Sequence, residues 1–391
     1  MKKSFNILIL CGEVSADYYG YLLAKKLKAI DADCKIFAIG GQNMASIADH
    51  FIYETANRHH IGLSTALGSK FWNRVLKSLA KVIRENQIDL AIIIDFGFYN
   101  FKLAKFLKKF SLPIVTFITP NFWIWKDVKK ARAIKNYSEK IVTIYPEEND
   151  FYKSLNADAY YFGHPLIELI PKTAYTPNKR KQILLLPGSR KIEIKLLLPR
   201  MLRTVKILKN RFPDAEFYLA TANDHFKSLI ESYLAAEDVT DITILINQDR
   251  TTLFKDIDLV LTASGTSTLE CALFNKPMIV LGALSKVTYH IGKLVFRFIY
   301  KAELKYISLP NLILDKQVVK ELWQNDLKPE VIAAEVINLL AQVDHTELFQ
   351  DYQLIREKLD LGYDVFLEAA KLIFYVCQGG LAPPWHTNKR K

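Results

Sequence analysis

The strongest constraint on this chain is a rhythm. Short apolar runs recur, each closed by a small-residue turn and followed by a helix-length stretch. In the first half the runs are Asn6 to Cys11, Cys34 to Ile39, Leu90 to Ile94, Pro113 to Ile118 and Ile141 to Tyr145. In the second half they lie near Ile183, at Glu216 to Ala220, Ile242 to Ile246, Leu259 to Thr262 and Met278 to Leu281. That alternation predicts an α/β fold built on parallel sheets. At 391 residues the chain is long for one core, so two α/β domains are expected. The polar connector from Pro171 to Arg180 divides them. The expected parts are residues 1–170, residues 180–345, a C-terminal helical segment at 346–378 and a loose basic tail at 379–391.

Charge narrows the partners. The chain carries 53 basic against 41 acidic residues, a net charge of +12, which favours nucleic acid, a membrane surface or a phosphorylated substrate. No zinc-finger or helix-turn-helix spacing accompanies the charge, so nucleic acid ranks last. The cysteines (Cys11, Cys34, Cys271 and Cys377) lack CxxC spacing and read as reduced thiols of a cytosolic protein. Met1-Lys2-Lys3 followed by Phe5 to Cys11 mimics a signal peptide, but the apolar run is too short and passes straight into Gly12-Glu13. No apolar run approaches the length of a membrane span.

Two turns carry the chemistry. Asp258 to Thr262 runs into Ser264-Gly265-Thr266, after which Leu269 to Phe274 reads as helix. A strand, a small-residue turn and a helix opening presents unpaired backbone N–H groups to an anion. Glu270 lies one helical turn inside, where its carboxylate could accept the hydroxyls of a ribose. Ile183 to Leu186 runs into Pro187-Gly188-Ser189-Arg190, and Arg190 offers a planar donor fork suited to phosphate. Two such loops at one end of a parallel sheet suit a diphosphate. The plainer alternatives are an ordinary N-capped helix at Ser264–Glu270 and a surface ion pair between Arg190 and Glu193. Two Rossmann-like halves facing a cleft, with diphosphate loops in the second, describe the GT-B glycosyltransferase architecture by fold-level analogy.

An ordered series of blocks resembles the lipid-A-disaccharide synthase family. They are Gly12 to Asp17, Gly40 to Met44, Pro120 with Trp123-Ile124-Trp125, Pro146-Glu147 (the family has Pro-Phe-Glu) and Gly163-His164-Pro165-Leu166. The second half adds Leu186 to Arg190 with Glu193, Ala263 to Glu270, Ser308 to Asn311, Glu321 and Gln324. The resemblance implies transfer of the sugar of UDP-2,3-diacylglucosamine to the 6-hydroxyl of 2,3-diacylglucosamine 1-phosphate, with inversion and release of UDP. It implies no metal and no cofactor. Arg190, Gly188, Ser189, Ser264, Gly265 and Thr266 would hold the diphosphate and Glu270 the ribose, with Asn311 and Gln324 lining the cleft. A homodimer is also implied.

One departure concerns the general base. The family reads Asp-x-Pro-Asp-Phe-Asn where this chain reads Asp95-Phe96-Gly97-Phe98-Tyr99-Asn100, so Phe98 occupies the position of the expected base. A phenyl ring takes no proton, and an inverting transfer needs a base within reach of the acceptor hydroxyl. Asp95 and Asp17 are the leading replacements, with Glu13 and His164 behind them. Two smaller departures accompany it: Ser15-Ala16-Asp17 for Ser-Gly-Asp, and Ile61 to Thr65 where the family has a glutamate. His59-His60 reads as a polar loop pair.

Two stretches suggest a lipid surface. Residues 60–85 interleave Ile61, Leu63, Leu67, Phe71, Trp72, Val75 and Leu76 with basic residues, as either a core-packed amphipathic helix or an acyl-chain lip. Lys286 to Lys305 mixes basic and aromatic residues, as either an interfacial helix on anionic lipid or an ordinary helix with a solvated basic face. Peripheral attachment on the cytosolic face of the bacterial inner membrane is expected. Two competing readings stand beside the synthase: a transferase with another lipid acceptor, and a nucleotide-sugar-binding partner without turnover.

Overall fold

The computed structural model describes residues 4–55, 66–97, 99–124, 126–221, 224–246, 248–283, 305–342 and 344–380. The chain forms two compact units, Met1–Glu168 with Leu359–Lys391, and Leu169–Lys358.

The first unit alternates β1 (Asn6–Cys11), α1 (Val14–Ile30), β2 (Lys35–Gly40), α2 (Gln42–Ile47), β3 (His50–Glu54), α3 (Ala66–Glu85) and β4 (Leu90–Ile94). It continues through α4 (Tyr99–Leu107), β5 (Ile114–Phe117), α5 (Val128–Tyr137), β6 (Lys140–Thr143), α6 (Pro146–Ser154), β7 (Ala159–Tyr161) and α7 (Pro165–Leu169). These strands form a seven-stranded sheet in the order β3-β2-β1-β4-β5-β6-β7. Neighbours are parallel throughout. Every residue of β4 and all but the first of β1 are buried, as a sheet covered on both faces requires. The helices cover it by spaced apolar stripes: Phe71, Val75, Leu79 and Val82 of α3 meet Leu8, Leu10, Ala91 and Ile93 of the sheet. Of the two readings of residues 60–85, the core-packed helix therefore holds from Phe71 onward, and residues 60–65 lie outside the described residues.

The second unit runs β8 (Gln182–Leu186), α8 (Lys191–Arg211), β9 (Glu216–Thr221), α9 (Lys227–Ala236), β10 (Thr243–Ile246), α10 (Arg250–Phe254), β11 (Leu259–Ala263) and α11 (Thr266–Leu273). Then come β12 (Met278–Gly282), α12 (Leu309–Leu314), β13 (Lys320–Trp323), α13 (Pro329–Ala341) and α14 (Thr346–Leu359). Its six-stranded sheet has the order β10-β9-β8-β11-β12-β13, again parallel.

The C-terminal segment expected at 346–378 is divided between the units. α14 belongs to the second, where Arg356 donates to the carbonyls of Ile170 (3.1 Å) and Leu273 (2.8 Å), closing the end of α11. The last helix, α15 (Val365–Cys377), belongs to the first unit, where Phe366 packs against Tyr19 and Phe117 at ring separations of 6.0 and 6.2 Å. Hydrophobic periodicity gives helix length but not which sheet a helix covers, and here that decides the boundary. Cys11, Cys34 and Cys271 are buried free thiols and Cys377 is a half-buried one.

Candidate active site

In an open parallel sheet the crevice for a ligand lies at the carboxyl ends of the strands, where the strand order reverses. Each unit has one such point: β1/β4 in the first and β8/β11 in the second.

The second unit's switch point brings together both predicted anion turns. Ser264, Gly265 and Thr266 are exposed, and Gly265, the N-cap of α11, takes φ 140° with open space around its α-carbon. The rest of the turn is internally braced. Thr268 Oγ1 donates to the Gly265 carbonyl (2.8 Å), and the Thr262 and Ser267 hydroxyls lie 2.8 Å apart. On the neighbouring loop Gly188 takes φ 110°, and a β-carbon there would meet Glu193 Oε2 at 2.4 Å, so only glycine fits. Glu193 accepts from the backbone N–H of Ser189 (3.0 Å) and Arg190 (3.2 Å) and from Arg190 Nη1 (3.3 Å). The ion pair envisaged as the alternative for Arg190 is thus present. It is compatible with anion binding: an exposed pair contributes only about 0–1 kcal/mol. Its geometry also demonstrates that the donors of this turn converge on negative charge at the start of α8.

Glu270 sits a turn inside α11, and Arg250 Nε of α10 donates to its Oε1 at 2.7 Å. Sequence reasoning missed Arg250, since the pair spans 20 residues with no shared motif. Gln324 closes β13 in a left-handed conformation (φ 43°), an uncommon state for a non-glycine residue and one concentrated at functional strand ends.

Asn311 does not line a site. Fully buried, its amide nitrogen donates to the Val319 carbonyl (3.0 Å) and Glu321 Oε1 (2.8 Å). Its oxygen accepts from the N–H groups of Val318 (2.8 Å) and Val319 (2.9 Å). Two donors and two lone pairs exhaust the amide. Glu321 also accepts from Ser308 Oγ (2.6 Å) and the N–H groups of Ile307 and Ser308, so the Ser308–Asn311–Glu321 set is a brace between α12 and β13.

At the first unit's switch point the candidates separate. Gly12 is in backbone contact with the β4 exit: a β-carbon on it would lie 2.6 Å from Phe96 Cα and 2.7 Å from the Asp95 carbonyl. That approach sets the loop carrying Glu13 against the loop carrying Asp95. Glu13 is the half-buried N-cap of α1, and Asp95 is half-buried with φ 38°. Asp17 is 3% exposed, and its carboxylate accepts from the N–H groups of Gly41, Asn43 (3.0 Å) and Met44 (3.1 Å) and from Asn43 Nδ2 (2.9 Å). It closes the open N–H groups of α2, a structural role that removes it as a base. His164 is buried, its Nδ1 accepts from the Leu166 N–H (3.1 Å), and burial pushes its pKa down to about 3. It stays neutral with its basic nitrogen occupied. Asp95 and Glu13 remain; Phe98, His59 and His60 lie outside the described residues.

Glu148 was not singled out from sequence. It is 1% exposed on α6, accepting from Thr119 Oγ1 and the Ile144 N–H (3.0 Å), and burial pushes its pKa up to about 7. Only its place after Pro146-Glu147 signalled it.

Comparisons with known proteins show the family and the fold. The family model described as lipid-A-disaccharide synthetase matches residues 7–362. The chain belongs to the lipid-A-disaccharide synthetase family. It is 32% identical over 355 residues to the lipid-A-disaccharide synthase of Acinetobacter baylyi, covering 86% of this chain and 88% of that one. The Myxococcus xanthus synthase is 30% identical over 341 residues, covering 85% and 87%. Among solved structures, the UDP-GlcNAc 2-epimerase of Neisseria meningitidis bound to UDP-GlcNAc superposes with TM-score 0.61 at 13% identity, covering 96% of this chain and all of that one. A glycosyltransferase of Rickettsia africae superposes with TM-score 0.53 at 13% identity, covering 96% and 99%. The fold of this family member is of the GT-B type.

Proposed function

We propose that this chain is the glycosyltransferase that joins UDP-2,3-diacylglucosamine to 2,3-diacylglucosamine 1-phosphate, giving the lipid A disaccharide and UDP. The observation that carries the reading is the pairing of the Gly188–Arg190 and Ser264–Thr266 turns at one switch point, within a family member matched over residues 7–362. The acceptor 6-hydroxyl gives its proton to a carboxylate at the first unit's switch point, Asp95 or Glu13. Its oxygen attacks the anomeric carbon from the face opposite UDP, and the bond from that carbon to the diphosphate oxygen breaks. Charge then grows on the diphosphate, where Arg190 and the N–H groups opening α8 and α11 stabilise it most at the transition state. Glu270, oriented by Arg250, accepts the ribose hydroxyls. The transfer is proposed to need no metal, these cationic and dipolar groups supplying the electrophilic help, so activity should survive excess chelator.

Attachment to an anionic membrane surface is part of the proposal. α3 and α4 pack on the same face of the first sheet, and Arg74, Lys77, Lys81, Arg84, Lys105 and Lys109 are exposed along them or just beyond. Basic side chains near anionic lipid contribute about 1 kcal/mol each. Residues 286–304, the other basic and aromatic stretch, lie outside the described residues. Among the described residues no helix is long and apolar enough to cross a membrane.

The test is turnover of the two diacylglucosamine substrates in mixed micelles. Release of UDP coupled to disaccharide, lowered by roughly 10²- to 10⁴-fold in Asp95→Asn and weakened in Arg190→Ala, is expected. Binding of the UDP-sugar with no disaccharide would sink the reading.

A further inference from the structure

A second left-handed residue stands beside Asp95. Ile118, at the carboxyl end of β5, takes φ 65°, which a β-branched side chain tolerates poorly. Its carbonyl accepts the Asp95 N–H at 3.3 Å, and its own N–H donates to the Val142 carbonyl at 2.9 Å. Two strained turns on neighbouring strands are therefore joined by a hydrogen bond, and something must hold them. Thr119, the next residue, is 3% exposed and donates its hydroxyl to Glu148. Glu148 in turn grips the Ile144 N–H beyond β6. The result is a buried chain running from α6 through the β5 exit to the β4 exit.

A capping glutamate at the third position of α6 explains a bond to Ile144. It does not explain burial. A buried carboxylate is costly unless its hydrogen bonds matter, and a surface capping box would serve the helix equally.

We propose that Glu148 is a positioning residue for the acceptor-side base: through the Thr119 hydroxyl it fixes the left-handed turn at Ile118, whose carbonyl holds the Asp95 backbone at the edge of β4. The inference rests on the reading of Asp95 as that base. Groups that face this chain are Tyr145, Tyr152 and Tyr161, whose buried phenols are pushed above their ordinary range, with Glu147 beside them and neutral His164 against Tyr145 at 5.1 Å. The three phenols are pushed up and His164 down, away from neutrality, whereas Glu148 sits at about 7. Protonation turns one of its acceptor oxygens into a donor and weakens the grip on Thr119 or Ile144.

The experiment compares Thr119→Val, Thr119→Ser and Glu148→Gln, alone and combined with Asp95→Asn, by disaccharide formation in mixed micelles. Thr119→Val and Glu148→Gln should each lower kcat by about 10- to 100-fold, the cost of a displaced catalytic group, with KM for the UDP-sugar little changed. Thr119→Ser, which keeps the hydroxyl, should recover most of the rate. Neither change should cost anything further in the Asp95→Asn background. Glu148→Gln should also lose a limb of the kcat–pH profile near neutrality. Wild-type kcat in Thr119→Val while Asp95→Asn is inactive would overturn the positioning role and leave the base reading intact. Full activity of Asp95→Asn would overturn both.

Discussion

The carboxyl edges of the two sheets solve different problems with the same topology. The edge at β8/β11 is open: Ser189, Arg190 and Ser264 to Thr266 are exposed, Gly265 has open space around it, and the donors of the Gly188–Arg190 turn converge on Glu193. The edge at β1/β4 is closed up. Gly12 is pressed against the next loop, Asp17 is consumed in capping α2, and strain is held at Asp95 and Ile118 by hydrogen bonds from behind. On the proposed reading, holding a diphosphate takes a local turn at a helix start, whereas placing one base against one hydroxyl takes distant elements acting together.

Substitutions at the two edges should therefore fail in different ways. The largest effect is expected from Asp95→Asn, which should lower kcat by roughly 10²- to 10⁴-fold, the range of a general base, with KM for the donor nearly unchanged. Steady-state kinetics with each substrate varied in turn would check it; a loss confined to KM would erase the contrast. Next comes Arg190→Ala, which removes charged hydrogen bonds each contributing about 1.5–3 kcal/mol. UDP affinity by calorimetry should fall about tenfold or more.

A third expectation concerns pH and stability. Burial raises Glu148 from 4.5 to about 7, so the folded state holds its proton more tightly than the unfolded chain. The stability it contributes is full below about 4.5 and lost as pH rises through about 7, a difference of a few kcal/mol. Denaturant unfolding of Glu148→Gln between pH 4.5 and 8 should show a flatter profile than the wild type. The smallest effect belongs to the basic face. Converting Lys77 and Lys81 to glutamine should weaken sedimentation with anionic vesicles by about 1 kcal/mol per charge, with less effect at high salt.

The open edge was the legible one. Strand, small-residue turn and helix follow one another in sequence, so Gly188, Arg190 and Ser264 to Thr266 could be read as a unit, and the parallel α/β fold with them. Asn311 and Asp17 misled for the opposite reason. Both stand in motif-like blocks, yet their partners are Val318, Val319 and Glu321 in one case and the α2 backbone in the other. A buried polar side chain satisfied by tertiary neighbours looks, in a string of letters, like one waiting for a ligand. Arg250 and Glu148 were overlooked because each acts on a residue 20 to 29 positions away. The division of the C-terminal helices was hidden likewise, since the partners of α14 (the Ile170 and Leu273 carbonyls) and of α15 (Tyr19 and Phe117) lie far away in the chain.

That division has a practical consequence. The first unit leaves off at Glu168 and resumes at Leu359, and those two points are neighbours: the Leu359 carbonyl accepts from the His164 N–H at 3.0 Å and from the Tyr161 hydroxyl at 3.2 Å. Residues 169–358 are thus a single continuous insert within the first unit. On the proposed reading, a short glycine bridge in place of the insert should leave a free-standing acceptor-side module and the excised segment a portable binder of uridine diphosphate, so that the two substrates could be studied on two separate molecules.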